Sequence, residues 1–418
     1  MTTPPLRVLI IGSGGREHAL ALALARDPAV AEVHAAPGNP GTWAIGGRRP
    51  PAIDITDGDA VARLARELGS DLVVIGPEAP LVAGVADAVR AAGLACFGPS
   101  QAAAQLEGSK QFAKQVMAAA GVPTAASFFC ESAPEVERAL DEFGPPYVVK
   151  ADGLAGGKGV VVTTDREVAL QHASASGPVV IEEYLDGPES SFFAICDGQC
   201  AVPLLASQDF KRVGDGDTGP NTGGMGAYCP LPWAPPDLTD QVMAQVIHPT
   251  LAEMTRRGTP FAGLLYAGLA LTSNGVRVVE FNARFGDPET SAVLPLLRTP
   301  LGGLLWQAAT SRLDDAPELA WDPGFCVVVV EAAEGYPGPH ATGGRIVLPA
   351  DGMVVQAGTA LDDDGNLVAA GGRVLGAVGK GSTLADARRA AYELAGRIKF
   401  ADGFHRSDIA AKAAGELT

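Results

Sequence analysis

The sequence has few aromatic residues, no C-x-x-C cysteine pair and no long apolar run. Phenylalanine, tyrosine and tryptophan together make up 6% of the chain. The six cysteines are scattered without a C-x-x-C pair, a pattern that favours buried, reduced thiols. No segment reaches the ~18 apolar residues of a membrane span, and the N-terminus lacks a secretory signal pattern. The sequence therefore predicts a cytoplasmic protein without membrane spans.

Positive charge is also in short supply. Lysine and arginine number 31 against 48 aspartates and glutamates, which gives a formal net charge of −17. This balance argues against a protein that coats nucleic acid or an anionic membrane over a broad surface, although it permits a local cationic pocket for a nucleotide. We therefore expect neither nucleic acid nor membrane as a partner.

Glycine is the residue in excess. The 418 residues include 52 glycines, about 12% against a usual level near 7%. They do not recur at every third position, so they indicate turns, close packing or loops that approach a ligand rather than collagen. At a usual domain size of roughly 150 residues, the chain is expected to form two to four domains.

The first hundred residues alternate between strand and helix patterns. Apolar strands such as 6–11 and 71–76 are each followed by a helical pattern, in the order βαβαβαβ. This order predicts a parallel sheet with helices on both faces, in which ligands bind at the carboxyl ends of the strands. The segment GPEAPL, residues 76–81, is predicted to be a loop.

The pattern changes at Ser109. A helix is predicted from Ser109 to Gly121, and short strands that form antiparallel hairpins are then expected to dominate as far as the end of the segment CAVPLLAS. The glycine- and proline-rich segment 213–236 is predicted to be a long loop.

The remainder combines further strands and helices. Helices are predicted near 238–256 and 301–311, with two strands between them and a proline-rich linker at 314–324. The tail is expected to contain several strands followed by one helix, which Thr383 and Asp386 cap. This pattern predicts a small α+β domain.

The motif GSGGREHAL, residues 12–20, connects the first strand to the first helix. Backbone N–H groups of such a turn can hold a phosphate at the positive helix end, with Arg16 assisting. An NAD fingerprint fits less well, because Glu17 occupies its last glycine position and the second strand lacks a terminal acid. A phosphate site, an NAD site and a structural turn all stay open.

The segment YVVKADGLAGGKGVVV, residues 147–162, places a glycine-rich loop between two strands. A Walker loop would lead into a helix instead. Backbone amides of the glycines can close over a polyphosphate while Lys150 and Lys158 approach its oxygens. A plain hairpin with solvated lysines is the alternative. The glycines are Gly153, Gly156, Gly157 and Gly159.

The segment VVIEEYLDGPES, residues 179–190, is a short strand followed by an acid, Glu189. Strand-edge amides would suit the edge of an adenine base, and the carboxylate would suit ribose hydroxyls. An acid on a surface turn is the alternative.

The segment VRVVEFNARFGDPET, residues 276–290, carries paired oxygen ligands. Glu280 and Asn282 share one face of a strand, while Val279 and Phe281 occupy the other, so we expect burial on both sides. A carboxylate and an amide oxygen on one face suit Mg²⁺ that bridges phosphates, with Arg284 as a nearby cation. A structural Glu–Arg pair is the alternative.

The segment SQDFKRVGDGDTGPNTGGMGAY, residues 207–228, contains six glycines and hardly any apolar residue, so it is predicted to bind substrate rather than join the core. The histidines show no metal spacing, and no nucleophile motif appears. The chemistry is therefore expected to rest on phosphate positioning with Mg²⁺.

Nine motifs, in this order, resemble the glycinamide ribonucleotide synthetase family of ATP-grasp enzymes. They are GSGGREHAL, GPEAPL, QLEGSK, VVKADGLAGGKGV, IEEYLDG, KRVGDGDTGPNTGGMGAY, LLYAGL, EFNARFGDPET and GGRVL. The resemblance extends from about Val8 to about Asp408. It is most specific in KRVGDGDTGPNTGGMGAY and EFNARFGDPET.

The resemblance implies an ATP-dependent ligase of purine biosynthesis. Glycine would be phosphorylated to glycyl phosphate, and the amine of 5-phosphoribosylamine would attack it to give glycinamide ribonucleotide, ADP and phosphate. The implied fold is α/β and α+β multidomain. It comprises an N-terminal parallel α/β substrate domain (1–103), an ATP-grasp body (104–325) with a small lid (about 123–190), and a C-terminal α+β domain (326–418).

The resemblance also implies roles for individual residues. Glu280 and Asn282 would bind Mg²⁺ or Mn²⁺, and Arg284, Lys211 and Asp209 would be catalytic. The ATP site would comprise Lys110, Lys150, Gly153, Gly156, Gly157, Lys158, Gly159, Glu182, Glu183, Leu185 and Glu189. The other substrates would contact Gly12, Gly14, Gly15, Arg16, Glu17, Asn39, Pro77, Glu78, Asn221, Thr222, Gly223, Gly224, Met225, Asp287, Pro288 and Glu289.

Two positions depart from the family pattern. Phe210 stands where histidine is common, so an imidazole there cannot be essential to this chain. Gly157 replaces a frequent alanine, which predicts a more mobile loop over the phosphates. The alternatives are another ATP-grasp carboxylate–amine ligase or carboxylase and, more distantly, an NAD-dependent dehydrogenase. A transient contact with the enzyme that supplies phosphoribosylamine is a further expectation.

Overall fold

A computed structural model describes residues 5–154 and 159–416 of the chain. Its first unit is a four-stranded parallel sheet, as the sequence predicts, and the strands lie in the order β2-β1-β3-β4. The segment predicted as the loop GPEAPL contains a short helix, α4, so that prediction was wrong. The elements are β1 (Leu6–Gly12), α1 (Gly15–Leu24), β2 (Val30–Pro37), α2 (Pro40–Gly46), α3 (Gly58–Glu67), β3 (Leu72–Ile75), α4 (Glu78–Val82), α5 (Val85–Ala91) and β4 (Ala95–Phe97).

Both faces of this sheet are buried. Leu9 and Ile11 belong to a core shared with α3, α5 and the following domain, whereas Val8 and Ile10 pack in a second core with α1. Because apolar side chains point to both faces, the strands are nearly continuous hydrophobic runs. The carboxyl ends of β1 and β3 consequently lie side by side against the rest of the molecule.

Two helices connect this unit to the next, α6 (Gln105–Gly108) and α7 (Lys110–Ala120). The Ser109 side chain caps α7 by accepting from the Phe112 N–H, and Gly121 ends it with φ of +66°. Both ends agree with the prediction, because a capping serine and a left-handed glycine are local signals.

A small four-stranded antiparallel sheet, here called the lid sheet, follows in the order β5-β8-β6-β7. Two helices pack against it, so the expectation that strands dominate this region was wrong. The signals were present, since Ser132 and Glu135 form a capping box at α8 and Asp165 caps α9. The elements are β5 (Ser127–Cys130), α8 (Ala133–Phe143), β6 (Tyr147–Ala151), β7 (Val160–Thr163), α9 (Arg166–Ser176) and β8 (Val179–Glu182).

The body is built on a second antiparallel sheet in the order β10-β9-β15-β16. A π-helical turn, Met243–Ile247, joins two of its helices, α10 and α11. The elements are β9 (Glu189–Asp197), β10 (Ala201–Pro203), β11 (Gln208–Asp209), β12 (Arg212–Gly214), β13 (Thr218–Asn221), β14 (Gly226–Cys229), α10 (Leu238–Val242), α11 (His248–Arg256), β15 (Ala262–Thr272), β16 (Gly275–Asn282), α12 (Thr290–Val293) and α13 (Leu301–Ala309).

The glycine-rich segment 207–228 differs from its prediction. Strands β12 and β13 form a hairpin where a loop was expected, and β14 pairs with a strand of the C-terminal sheet. Met225 and Tyr228 are fully buried, so the statement that this segment cannot be core was wrong at its C-terminal end. The apolar neighbours of β14 come from a strand about a hundred residues away, which local composition does not reveal.

The C-terminal sheet combines elements of the tail with β11 and β14, in the order β11-β14-β17-β22-β19. Helix α14 packs on β22 and is capped by Thr383, whose side chain accepts a hydrogen bond from the Asp386 N–H as predicted. The remaining elements are β17 (Phe325–Ala333), β18 (Ile346–Val347), β19 (Met353–Gln356), β20 (Thr359–Leu361), β21 (Leu367–Ala369), β22 (Arg373–Gly381), α14 (Leu384–Ala395), β23 (Lys399–Phe400) and β24 (Gly403–Phe404).

The six cysteines are free thiols, and five of them are buried. This agrees with the expectation of reduced, buried side chains. Within the described ranges, no helix combines the length and apolar character that a membrane crossing requires.

Arg406 joins the β12–β13 hairpin to the C-terminal part and is only 2% exposed. Its guanidinium contacts Asp408 at 2.7 Å, Asp217 at 2.8 Å and the Arg212 carbonyl oxygen at 3.0 Å. We expect Arg406→Met to lower the free energy of unfolding by about 3–5 kcal/mol, because it leaves a carboxylate without its buried partner.

Urea unfolding followed by circular dichroism measures this loss. Arg389→Met is the matched control, because Arg389 pairs with Asp386 and Glu393 on the exposed surface and its loss should cost at most about 1 kcal/mol. Equal losses for the two variants would contradict the account of Arg406.

Candidate active site

The turn after β1 is organised by its own side chains. The Glu17 carboxylate accepts a hydrogen bond from the Gly14 N–H through Oε2 and lies 2.6 Å from Arg16 Nε through Oε1. Arg16 also donates to the Phe285 carbonyl oxygen at 3.2 Å. A carboxylate of the protein therefore occupies the Gly14 amide, which argues against the NAD interpretation and against any other phosphate that would bind through this amide.

Several predicted substrate residues meet at this turn. Asn39 Nδ2 donates to the Ser13 carbonyl oxygen at 2.8 Å and to that of Gln356 at 2.9 Å. Gly12, with φ of +127°, packs directly against Pro77, and a side chain at Gly14 would lie 3.4 Å from Asp287. The structure thus brings the N-terminal turn, the end of β3 and the segment after β16 to one place.

Arg373 fixes the segment 286–289 from the C-terminal sheet. Its guanidinium lies 3.2 Å from the Asp287 carboxylate and donates to the carbonyl oxygens of Asp287 and Gly223. Tyr336 accepts a hydrogen bond from the Gly223 N–H at 2.9 Å. Neither Arg373 nor Tyr336 was a candidate from the sequence, although Arg373 stands in the quoted motif GGRVL.

Other residues of the glycine loop are held locally. Thr222 donates its backbone N–H to the Lys211 carbonyl oxygen at 2.7 Å, and the Gly224 N–H donates to Thr222 Oγ1 at 2.9 Å. Arg212 pairs with Asn221 in the β12–β13 hairpin, and Pro288 packs tightly on Gly224. These contacts place 221–225 against the Asp287–Glu289 segment.

A charged cluster forms where β9, β11 and β15 meet. Lys211 Nζ lies 2.8 Å from the Glu189 carboxylate, and this charge lowers the pKa of Glu189. The buried Glu289 accepts hydrogen bonds from Tyr266 at 2.7 Å and from Ser191 at 3.2 Å. Burial would lower the pKa of Lys211, but the Glu189 and Asp209 carboxylates raise it well above its usual value.

Asp209 has an unusual charge environment within this cluster. Burial raises its pKa from 3.8 to about 7, Lys211 opposes the shift, and the Glu289, Glu189 and Glu280 carboxylates add to it. The folded protein thus binds a proton at Asp209 that the unfolded chain releases. Its stabilising contribution is fully present below about pH 4 and is lost as the pH rises through 7.

We expect Asp209→Asn to remove this pH dependence. Between pH 5 and pH 7, the parent should lose stability relative to the variant by about 1 kcal/mol per pH unit. Urea unfolding of both proteins at several pH values measures the difference. Parallel curves for parent and variant would contradict the raised pKa.

The lysines predicted for ATP lie between the lid sheet and the body. Lys150, 3% exposed, has its Nζ 2.8 Å from the Glu182 carboxylate and 2.9 Å from the Val279 carbonyl oxygen on β16. Lys114, which sequence reasoning missed, lies 3.0 Å from the other Glu182 oxygen. Lys110 Nζ donates to the Gly153 carbonyl oxygen at 3.0 Å.

The glycine-rich loop is only partly described. Gly153 has φ of +98°, and the Gly159 carbonyl oxygen accepts from the Ala151 N–H at 2.7 Å. The predictions for Gly156, Gly157 and Lys158, including the mobility that Gly157 implies, lie outside the described residues.

The predicted adenine segment follows β8. Glu183 donates its N–H to the Ala126 carbonyl oxygen at 3.0 Å, so this amide is already bonded within the protein. Leu185 is half-buried next to the exposed Tyr184.

A β-bulge alters the face pattern predicted for β16. Gly268 pairs with Glu280 and Leu269 with Val278, so Val279 is the extra residue. Phe281 is buried, but Val279 and Glu280 are only half-buried, so the expected burial on both sides was wrong.

Arg284 lies just beyond β16 and contacts the Asn282 amide oxygen at 3.3 Å. It also pairs with Glu107 at 2.8 Å and with Glu78 at 3.2 Å. Burial would lower the pKa of Arg284, but these two carboxylates raise it. Glu107, which sequence reasoning missed as a site residue, lies in the quoted motif QLEGSK.

The oxygen atoms of Glu280 and Asn282 fit a divalent metal. Among residues 5–154 and 159–416, no donor hydrogen-bonds the Glu280 carboxylate. The described part of the chain also has no group of three or more His, Cys, Asp or Glu side chains that could hold a metal alone. Two protein oxygens that require phosphate oxygens to complete the coordination are typical of Mg²⁺.

A lid sheet and a body sheet that enclose lysines and paired oxygen ligands are the arrangement of ATP-grasp enzymes. Three family models of phosphoribosylglycinamide synthetase match the chain: the N domain at residues 6–107, the ATP-grasp (A) domain at 108–290 and the C domain at 326–412. These matches cover most of the chain and show that it belongs to the phosphoribosylglycinamide synthetase family.

Curated relatives match the chain over its whole length. The phosphoribosylamine–glycine ligase of Streptomyces coelicolor is 57% identical over 98% of this chain and 100% of its own length. That of Mycobacterium tuberculosis H37Rv is 56% identical over 98% of this chain and 99% of its own.

Solved structures agree. The Thermotoga maritima phosphoribosylamine–glycine ligase superposes with a TM-score of 0.84 at 36% identity, over 97% of this chain and 100% of that one. A biotin carboxylase from Campylobacter jejuni superposes with a TM-score of 0.71 over 100% of this chain and 95% of that one. At 14% identity, this likeness shows a shared fold alone.

Proposed function

We propose that this protein ligates glycine to 5-phosphoribosylamine with ATP in purine biosynthesis. The products are glycinamide ribonucleotide, ADP and phosphate. Phosphorylation converts the glycine carboxylate, a poor acyl donor, into glycyl phosphate. The amine then attacks the carbonyl carbon, and phosphate departs.

The ATP site of this proposal lies between the lid sheet and the body. Lys110 and Lys150 bind the polyphosphate, where charge-assisted hydrogen bonds are strong. Gly153 and Gly159, at the two described ends of the glycine-rich loop, flank the polyphosphate in this proposal. The adenine base is lined by Glu182, the carbonyl oxygen of Glu183 and the backbone of Leu185. When ATP binds, the Glu189 carboxylate releases Lys211 and accepts hydrogen bonds from the ribose hydroxyls.

Glu280 and Asn282 are proposed to hold Mg²⁺ or Mn²⁺. When bound, the metal neutralises phosphate charge and polarises the transferring phosphoryl group. Arg284, next to Asn282, adds a fixed cation, although it shares its charge with Glu78 and Glu107.

The substrates are proposed to meet at the carboxyl ends of β1 and β3. Four segments surround the sugar phosphate in this proposal: the Gly12–Glu17 turn, Asn39, Pro77–Glu78 and Asp287–Glu289. The contacts among these segments support the proposal. Lys211 binds the glycine carboxylate, and Asp209 exchanges a proton with the reacting amine. Segment 221–225 lines the transfer region.

The proposal extends to organisation and partners. Residues 1–103, 104–325 and 326–418 are proposed as the domains, with the lid at about 123–190. Free thiols support a cytoplasmic location. Because 5-phosphoribosylamine is unstable, the proposal includes a transient contact with the enzyme that supplies it, to which no described surface is assigned.

The approach of Lys150 to the strand that carries Glu280 and Asn282 is the observation that supports the proposal most. The test is ADP release with ATP, glycine and freshly generated phosphoribosylamine, omitting each in turn. We expect ADP only when all three are present. Rapid ADP release without glycine would overturn the proposed function.

A further inference from the structure

The chain passes between the body and the lid sheet twice, at residues 123–126 and 183–188, here called the hinge segments. The two segments bind each other. The Ala126 N–H donates to the Glu183 carboxylate at 2.9 Å, and the Glu183 N–H donates to the Ala126 carbonyl oxygen at 3.0 Å. Any rotation of the lid sheet must therefore pass through this joined pair of segments.

Lys114, on helix α7 of the body, binds the hinge from one side. Its Nζ lies 2.9 Å from Thr124 Oγ1, 2.9 Å from the Ala125 carbonyl oxygen and 3.0 Å from the Glu182 carboxylate. One ammonium group thus uses its three donors on the first hinge segment and on Glu182, the last residue of β8 before the second hinge segment. Thr124 continues the contact into the body by donating to the Val278 carbonyl oxygen at 2.7 Å.

Arg277, on strand β16, binds the hinge from the other side. Its Nη1 donates to the Thr124 carbonyl oxygen at 3.3 Å and to the Glu183 carboxylate at 2.9 Å. Arg277 also stands three residues before Glu280 on the same strand. The strand that carries the proposed metal ligands therefore also fixes the position of the lid.

The hinge contacts extend directly to the proposed ATP site through Glu182. One oxygen of this carboxylate faces Lys114 and the other faces Lys150. If Lys150 turns toward a phosphate, Lys114 still neutralises Glu182, so the buried carboxylate is not left without a partner.

We propose that Lys114 and Arg277 are positioning residues that hold both hinge segments against the body and thereby aim Lys150 at ATP. The inference rests on the proposed function. Neither residue is assigned a contact with a reacting atom. Their loss should weaken ATP binding more than it slows the chemical step.

The test compares Lys114→Met and Arg277→Met with Arg166→Met. Arg166 pairs with Asp141 on the exposed side of the lid and serves as the control. We expect each hinge variant to raise the KM for ATP about tenfold, because a lid that is held less firmly aims Lys150 less well, with kcat and the KM for glycine within about twofold of the parent. Arg277→Lys should recover most of the loss, and Arg166→Met should match the parent.

Hydrogen exchange of the free protein supplies a second readout that needs no turnover. Both Met variants should exchange faster at 123–126 and 182–188, with unchanged exchange in β1 and β3. A KM for ATP within twofold of the parent in a folded Arg277→Met variant, with parental exchange at the hinge, would overturn the inference. If the parent itself fails to form ADP with all substrates, the proposed function fails, and the exchange data still report on the hinge.

Discussion

Replacing Glu280 by glutamine is expected to lower kcat by about a thousandfold, the scale of losing one preorganised charge interaction with the transition state. Glutamine keeps the size and one oxygen of the side chain but removes the negative charge that faces the metal. Because no described donor hydrogen-bonds the Glu280 carboxylate, the substitution leaves no internal bond broken and should preserve stability. Steady-state ADP release measures the loss.

Two comparisons make the Glu280 result specific. Glu318→Gln, on the exposed segment after α13, should match the parent. Ribose 5-phosphate, a stable probe of the sugar-phosphate site, should bind the Glu280 variant with parental affinity by calorimetry. A kcat near that of the parent would contradict the assignment of Glu280 as a metal ligand.

Lys150→Met is expected to reduce kcat/KM for ATP by about a hundredfold or more, because it removes charge-assisted bonds to the polyphosphate. It should also lower the free energy of unfolding by about 1–2 kcal/mol, a modest loss because Lys114 still neutralises the buried Glu182 carboxylate. ATP-dependent kinetics and urea unfolding on the same samples separate these two effects.

The double variant Lys150→Met/Glu182→Gln distinguishes catalysis from stability. Because it leaves the Lys114 ammonium without its carboxylate partner, it should be less stable than Lys150→Met, while kcat/KM for ATP falls little further. Values of kcat/KM for ATP that fall in step with stability across the two variants would show that Lys150 has a structural role only.

The parallel sheet of the N-terminal unit was predictable because its signals are local. Strands β1 and β3 are nearly continuous apolar runs, and every strand of the sheet ends at, or is followed directly by, a glycine or proline. Helices α8 and α9 were also predictable in principle from the caps at Ser132 and Asp165. They were missed because the apolar strands around them dominate the hydrophobic pattern of that region.

The core position of β14 could not be predicted from its own composition. Its glycine at 226 fits because a side chain there would collide with Ile409, a contact across 183 positions. The bulge at Val279 has a similar origin, since it exists only in the pairing of β16 with β15. Long-range partners decide both features.

Motifs predicted which segments form the candidate site better than they predicted the contacts within it. The turn at Gly14 suggests a phosphate site, but its amide binds Glu17 of the same motif. Arg373 and Lys114 were missed because each acts on segments distant in sequence, and a lone cation carries no local signal. The notable excess of glycine is partly explained at Gly12, Gly224 and Gly226, where backbone and side chains approach closely.

The central claim, that ATP activates the glycine carboxylate for attack by an amine, is tested most directly with glycine labelled by ¹⁸O in both carboxylate oxygens. Turnover with ATP and phosphoribosylamine should release phosphate that carries one ¹⁸O atom per molecule of product, because the bridging oxygen of glycyl phosphate leaves with the phosphoryl group. Glycinamide ribonucleotide should retain the other labelled oxygen. Unlabelled phosphate from glycine-dependent turnover would contradict the account.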